Sequence, residues 1–224
     1  MKLFLYLLAV ALGVSLLFQR VEWPWVAFRH AEAELAKRKY VDAAALYQQA
    51  ARKLDDPRVL RGLAECLLAE GRSTEAEAVL VRSLKAHPDQ LPAINLLAGI
   101  YQKAQQPEKA IVLFTQYLAR AKTLDPLSNL LLARAYRQAA LYNDAFALYL
   151  QAAKDPRLKT ITDLELAEMQ SWQGRYDEAT ALFRQVLIAE PSNPQARLGL
   201  ARVLSWTGHS KESEDEYRKL LHKP

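Results

Sequence analysis

A short pattern recurs about every 34 residues along this chain, and it constrains the fold more than any other feature. A small residue marks each copy, at spacings of 33 to 35 residues: Ala43, Ala76, Ala110, Ala145, Ala179 and Ser213. Four residues later comes a large apolar residue: Tyr47, Leu80, Phe114, Tyr149, Phe183 and Tyr217. Twelve residues before each marker stands another small one: Ala31, Ala64, Ala98, Ala133, Ala167 and Ala201. Such a period indicates stacked copies of one supersecondary unit.

Each recurring position has a physical reason in a pair of antiparallel helices. Small residues let the two helices approach closely, and the large side chain fills the space opposite. Gly71, Gly174 and Gly208 supply a turn conformation that other residues reach only at a cost. A proline, which cannot continue a helix, follows most second helices: Pro57, Pro88, Pro126, Pro156 and Pro191. One hairpin cannot bury its apolar face, whereas a stack of hairpins can.

The period and these positions resemble the tetratricopeptide repeat (TPR), over residues 25–224. The resemblance implies an all-α TPR solenoid of about six helical hairpins, and the uncharged run Leu3 to Phe18 predicts an N-terminal transmembrane helix before it. The family's first position, a tryptophan, is held here by other residues: Leu60, Ile94, Asn129, Asp163 and Arg197. We expect one repeat domain, 24–224, with these hairpins: 24–56, 57–90, 91–125, 126–159, 160–193 and 194–224. Pro107 should begin a second helix, and the polar last helix should cap the array.

Composition and charge narrow the range of partners. The chain is 51% hydrophobic and 25% charged, as expected for a helical solenoid, and its net charge of +5 is mild. Basic and acidic residues are interspersed, so no nucleic acid partner is expected. Cys66 is the one cysteine, which excludes a disulfide framework.

The N-terminal residues 1–23 are interpreted as a membrane anchor. Leu3 to Phe18 carries no charge, and as a helix these residues span about 24 Å at about 1.5 Å each. We expect Arg20, Trp23 and Trp25 to lie at the membrane interface, which suits both residue types. A cleaved signal sequence and a buried helix stay open as alternatives. Lys2 before the segment favours a single-pass protein of the bacterial inner membrane with periplasmic repeats, and cytoplasmic repeats stay open.

The sequence carries no catalytic constellation, metal spacing or phosphate-binding loop, so we expect neither an enzyme nor a cofactor. The first helices of TPR hairpins line an inner groove, and the resemblance therefore gives the candidate partner-binding residues. They are Arg61, Asn95, Lys103, Arg134, Arg137, Trp172, Arg202 and Trp206, with Glu65, Gln138 and Glu168 beside them. The alternative for each is a solvated position on a face of mixed charge. The carboxylate-gripping pattern of some TPR proteins is not reproduced.

Trp172 and Trp206 stand 34 residues apart in matching Ser-Trp-x-Gly contexts. We expect them at the same corner of successive hairpins. There they either pack over the turn glycine or form an aromatic surface for a partner chain or a sugar polymer.

A second resemblance concerns residues 189–206, which are similar to TPR regions of bacterial exopolysaccharide synthesis and export proteins. It implies a scaffold between a synthase and an export channel. We therefore expect a membrane-anchored scaffold for protein–protein assembly in a bacterial envelope complex, with exopolysaccharide secretion favoured. Two alternatives stay open: a periplasmic polysaccharide-binding module, and a cytoplasm-facing assembly factor for a secretion, pilus or respiratory complex.

Overall fold

The computed structural model describes residues 23–221, and all regular secondary structure within that range is helical. Helix α1 includes residues 23–36. The others are α2 (Tyr40–Ala51), α3 (Pro57–Ala69), α4 (Ser73–Ala86), α5 (Leu91–Lys103), α6 (Pro107–Leu118), α7 (Pro126–Gln138), α8 (Tyr142–Ala152), α9 (Pro156–Trp172), α10 (Tyr176–Ala189), α11 (Pro194–Trp206) and α12 (Ser210–Leu221). The predicted all-α fold of about six helical hairpins is confirmed. We call the first helix of each hairpin its A helix and the second its B helix.

The chain divides into two compact units, and the division falls within the last turn of α5. Unit 1 runs to Ile100 and unit 2 begins at Tyr101. Unit 1 contains the hairpins α1–α2 and α3–α4, and unit 2 contains α7–α8, α9–α10 and α11–α12. The predicted division into an anchor, 1–23, and a repeat domain, 24–224, stays a prediction.

The repeating small residues lie where hairpin packing requires them. All six markers are buried, and so are the six alanines that stand twelve residues before them. The large residues four places after the markers are fully buried from Tyr47 to Phe183, whereas Tyr217 in α12 is exposed. The close approach of paired helices, predicted from residue size alone, is therefore confirmed.

The turn between the A and B helices has one backbone conformation in all six hairpins. Five residues before each marker, φ lies between 56° and 81°, in the left-handed region. Glycine occupies this position in three turns, as predicted, at Gly71, Gly174 and Gly208. Non-glycine residues occupy it in the other three: Arg38, Gln105 and Ala140. The left-handed conformation costs an L-residue about 1–2 kcal/mol, so hairpin packing overrides local preference in these three turns.

Most A helices begin at a proline that follows a capping side chain. Asp56, Asp125, Asp155 and Asn193 each accept a hydrogen bond from a backbone N–H in the first turn. Pro57, Pro126 and Pro156 follow second helices, as expected, and each is the first residue of the next A helix. Proline suits this first position because its missing N–H has no partner within the helix. Pro107 begins α6, as expected.

The predicted hairpin boundaries agree with the starts of α3, α5, α7 and α11. The exception is the boundary predicted at residue 160. Helix α9 already begins at Pro156 and has 17 residues, because Asp155 caps it about one turn earlier.

Polar contacts join α12 to α11 in the last hairpin. The Ser213 hydroxyl, buried at the marker position, donates to the Ala201 carbonyl oxygen at 2.8 Å. Arg197, which stands at the family's tryptophan position, reaches Glu216 Oε2 of α12 at 2.6 Å. An ion pair therefore takes the place of aromatic packing here. The role of α12 as a cap stays a prediction.

The predicted anchor lies almost wholly outside the described residues, as does Arg20. Within residues 23–221, no helix combines the length and apolarity that crossing a bilayer requires. Trp23 is 49% exposed. Trp25 packs edge-on against Phe28, with ring centroids 5.9 Å apart, and the guanidinium of Arg58 lies 5.6 Å from its ring. Trp25 thus has contacts within unit 1, and its place at a membrane interface stays a prediction.

Candidate functional site

The candidate site is a surface formed by three successive A helices of unit 2, α7, α9 and α11. We call it the A-helix face. It comprises Arg134, Arg137, Glu165, Glu168, Trp172, Arg202 and Trp206. Five of these were predicted from the sequence as partner-binding residues, and the contacts described below bring the seven together.

An ion pair between neighbouring helices forms one end of this face. Arg134 of α7 donates through Nε to Glu165 Oε2 of α9 at 2.9 Å, and its Nη2 also reaches the carboxylate. The Tyr149 hydroxyl donates to the same Oε2 at 3.1 Å. Arg137 Nη2 lies 4.0 Å from it. Burial, and then the nearby Glu165, raise the pKa of Tyr149 above its ordinary value. Arg134 is therefore held in place and has little freedom to reach a partner.

Glu168 lies near the centre of the face, one helical turn after Glu165. Burial raises the pKa of Glu168 above its ordinary value, and the positive charges of Arg137 and Arg202 oppose that rise. Its carboxylate thus has cations on both neighbouring A helices, α7 and α11.

Trp172 and Trp206 are the last residues of α9 and α11, and each carries an arginine over its ring. The guanidinium of Arg137 lies 5.7 Å from the Trp172 ring centroid, and that of Arg202 lies 6.0 Å from the Trp206 centroid. The two tryptophans are 56% and 52% exposed. The Trp206 ring also packs on Tyr176, with centroids 5.9 Å apart. A cation–π contact at an exposed site stabilises such a pair by about 0.5–1 kcal/mol.

Each tryptophan stands two residues before a turn glycine, Gly174 or Gly208. A Cβ placed on either glycine meets nothing within 4 Å, and packing of the indoles over these turns stays a prediction. Among residues 23–221, no ring contact joins Trp172 to Trp206. Each indole instead presents about half of its surface to solvent beside an arginine.

The other predicted residues belong to α3, α5 and the end of α7. Arg61 belongs to unit 1, where its Nε lies 3.3 Å from Glu65 Oε1 on the same helix. Asn95, also in unit 1, is half-buried, and Lys103 is the exposed last residue of α5. Gln138 donates through Nε2 to the Gln102 carbonyl oxygen at 3.2 Å.

Sequence reasoning missed Glu165 and Tyr149. The equivalent of Glu165 is glycine in two other hairpins, at Gly62 and Gly199, where an aromatic ring of the preceding hairpin needs the space. Glu165 is preceded sixteen residues earlier by Tyr149, which has a hydroxyl group that a phenylalanine lacks. This pair of residue types is the sequence signal that could have indicated their hydrogen bond.

No group of three or more His, Cys, Asp or Glu side chains within residues 23–221 is placed to hold a metal ion. What the A-helix face offers is arginine and tryptophan, which bind through charge, stacking and apolar contact. A helical repeat with such a face defines a protein of the protein–protein interaction class. The absence of an enzymatic activity stays a prediction.

The family model described as tetratricopeptide repeat matches residues 34–100 and 173–223. These ranges cover just over half of the 224 residues, and the chain belongs to the tetratricopeptide repeat family. No curated protein matches the sequence.

Several solved structures have a similar fold. A TPR protein from Parabacteroides merdae superposes with a TM-score of 0.76 at 17% identity, covering 91% of this chain and 81% of that one. PilW, a widely conserved type IV pilus biogenesis factor, also has a TM-score of 0.76, at 15% identity over 88% of this chain and 91% of its own. MamA from Desulfovibrio magneticus has a TM-score of 0.69 at 20% identity, over 78% of this chain and 98% of its own. These likenesses establish the fold alone.

Proposed function

We propose that this chain is a membrane-anchored scaffold that assembles protein partners of a bacterial envelope complex, and that the A-helix face is its docking surface. One observation carries the proposal. Trp172 and Trp206, each about half exposed, end successive A helices, and each has an arginine stacked on its ring. Tryptophan and arginine are among the residues most enriched at binding hot spots.

The face is organised before a partner arrives. Stacking on Trp206 limits the rotamers of Arg202, and the ion pair with Glu165 fixes Arg134. A surface whose side chains are already ordered loses less entropy on binding.

The cellular setting is proposed from resemblance. Residues 189–206 are similar to TPR regions of exopolysaccharide synthesis and export proteins, which favours a role in exopolysaccharide secretion. The similarly folded PilW is a type IV pilus biogenesis factor, so pilus assembly is the main alternative among envelope complexes. Identification of the proteins that co-purify with the full chain from detergent extracts distinguishes the two.

The anchor is part of the same proposal. The uncharged run Leu3 to Phe18 supports retention of the N-terminus and a location in the inner membrane, with periplasmic repeats. The full chain should resist carbonate extraction and keep its first residues in mass spectrometry. A mature N-terminus between Gly13 and Gln19 contradicts the anchor and indicates a signal sequence.

The docking surface is tested with Trp206→Ala and Trp172→Ala against a matched control. Affinity for the purified co-purifying partner should fall about 30-fold, which corresponds to about 2 kcal/mol. Ile188→Ala is the control, because it removes a side chain of α10 that is exposed and lies off the A-helix face. Unchanged affinity in both tryptophan variants, with only the melting temperature lowered, overturns the docking role.

Exposed indoles on successive hairpins also suit a sugar polymer, since aromatic rings stack on pyranose faces. A polysaccharide-binding module is therefore the second candidate. Binding of the full chain to a glycan array, lost in Trp172→Ala, supports this candidate over the protein scaffold.

A further inference from the structure

We propose that one edge of unit 1 lies on the membrane surface and binds the anionic headgroups of phospholipids. This inference rests on the proposed anchor, and the experiment below separates the failure of one from the failure of the other. The edge, which we call the basic edge, is formed by the start of α1, the end of α2, the start of α3 and the end of α4.

Two contacts establish that these four helix ends lie together. Arg58 at the start of α3 places its guanidinium 5.6 Å from the ring of Trp25 at the start of α1. His87, just after α4, has its Nε2 3.2 Å from the carbonyl oxygen of Asp55 in the α2–α3 connection. The described chain therefore enters unit 1 at the basic edge.

Three basic side chains of the basic edge form no ion pair within the described residues. Arg52, Lys53 and Arg82 are exposed and line one open concavity, together with Leu54 and Asp55. Within residues 23–221, the side chains of these three cations form no ion pair. Arg58, by contrast, is paired with Asp56 Oδ2 at 2.8 Å. Three unpaired cations around one concavity are complementary to phosphate groups.

The length of chain before unit 1 limits how far this edge can lie from a bilayer. Phe18, the last residue of the uncharged run, precedes residue 23 by five positions. At no more than about 3.6 Å per residue, that connection spans at most about 18 Å. Electrostatic attraction to a charged surface falls off within a Debye length of about 8 Å at physiological salt. A membrane anchor at Leu3 to Phe18 would therefore hold the basic edge close to the distance at which its cations attract anionic headgroups.

Aromatic residues at the same place strengthen the inference. Trp23 is 49% exposed beside Trp25, and tryptophan is favoured at the membrane–water interface. Each lysine or arginine near an anionic bilayer strengthens binding about fivefold, so three cations orient the edge strongly.

The opposite edge of unit 1 provides a matched control. Lys39 precedes α2 and Lys53 follows it, so they stand about 18 Å apart along a 12-residue helix at about 1.5 Å per residue. Both are exposed lysines. Burial raises the pKa of the Cys66 thiol to about 11, so the native cysteine should not react with a maleimide at neutral pH.

The experiment places an environment-sensitive maleimide dye on Lys53→Cys or Lys39→Cys of the full chain. The first variant replaces one cation of the basic edge and keeps Arg52 and Arg82 to bind the headgroups. Each labelled protein is reconstituted with phosphatidylcholine vesicles, with or without phosphatidylglycerol. Phosphatidylglycerol should shift the emission of the dye at position 53 to the blue and leave position 39 unchanged. Arg52→Ala/Arg82→Ala should abolish most of that shift, whereas removal of two cations from the opposite edge, Lys37→Ala/Arg72→Ala, should not.

Equal spectra at positions 53 and 39 in both lipids overturn the basic edge, whether or not the chain is anchored. A shift that survives Arg52→Ala/Arg82→Ala also overturns it. Vesicle flotation reports on the anchor separately. A chain that fails to float with phosphatidylcholine alone lacks the anchor. If that chain floats with phosphatidylglycerol vesicles through Arg52 and Arg82, the basic edge stands without the anchor.

Discussion

The ring of Phe183 in α10 fills the space that a side chain on Gly199 in α11 would need. A Cβ placed on Gly199 comes within 2.3 Å of Phe183 Cζ. The same relationship joins Tyr47 of α2 to Gly62 of α3, again at 2.3 Å. In these two hairpins, the aromatic residue four places after the marker therefore packs directly on the backbone of the next A helix. This contact connects one hairpin to the next.

Gly199→Ala should destabilise the protein by about 1–3 kcal/mol, because the added methyl group must displace a fully buried ring. Gly99→Ala is the matched control in α5. A Cβ there meets nothing within 4 Å, and alanine is favoured over glycine in a helix by up to about 1 kcal/mol. Chemical denaturation measures both variants. Equal effects of the two substitutions contradict the packing argument.

Ala140→Gly should stabilise the protein by up to about 1 kcal/mol, since Ala140 has a φ of 59° and glycine adopts this conformation without cost. Gly174→Ala at the equivalent turn, with a φ of 76°, should destabilise by a similar amount. Opposite shifts in melting temperature are the expected result. A destabilising Ala140→Gly argues against strain in that turn.

Ala167→Leu should destabilise by about 1–3 kcal/mol or more, because Ala167 is fully buried where α9 packs against its neighbours. Glu178→Ala in α10 is the control, since Glu178 is exposed. Thermal unfolding followed by circular dichroism compares the two. Similar melting temperatures are incompatible with the repeat register.

Glu168→Gln should raise stability at pH 7. Burial raises the pKa of Glu168 in the folded state, so the unfolded chain releases the proton first as pH rises. Stability therefore falls as pH rises from the unfolded pKa through the folded one, and it stays lower above that window. Glutamine does not ionise, so Glu168→Gln removes this loss of stability. Its stability gain over the native protein should disappear at a pH below about 4, where Glu168 is protonated in both the folded and the unfolded state.

The control for this pH dependence is Glu178→Gln, which neutralises an exposed glutamate and should give no such gain. Urea denaturation at several pH values measures both variants. An advantage of Glu168→Gln that persists unchanged at low pH contradicts the assignment to ionisation.

The periodicity of the sequence was sufficient to predict the hairpins and most of their boundaries. The small residues Ala133, Ala167 and Ala201 are buried, and each allows two helices that are adjacent in sequence to approach closely. Residue size and spacing carry that information directly. The left-handed turns at Gly71, Gly174 and Gly208 were predictable for the same reason, since glycine has a conformational preference of its own.

The tertiary structure decided which side chains meet on the A-helix face. Arg134 and Glu165 are 31 residues apart, and their contact depends on how α7 packs beside α9. The tryptophans were identified from the sequence, but their stacking with Arg137 and Arg202 depends on helix packing and rotamers. The left-handed turns at Arg38, Gln105 and Ala140 have a similar origin. Packing between helices outweighs the preference of an L-residue against the left-handed conformation, which is about 1–2 kcal/mol. The residue types in those three turns therefore do not predict their conformation.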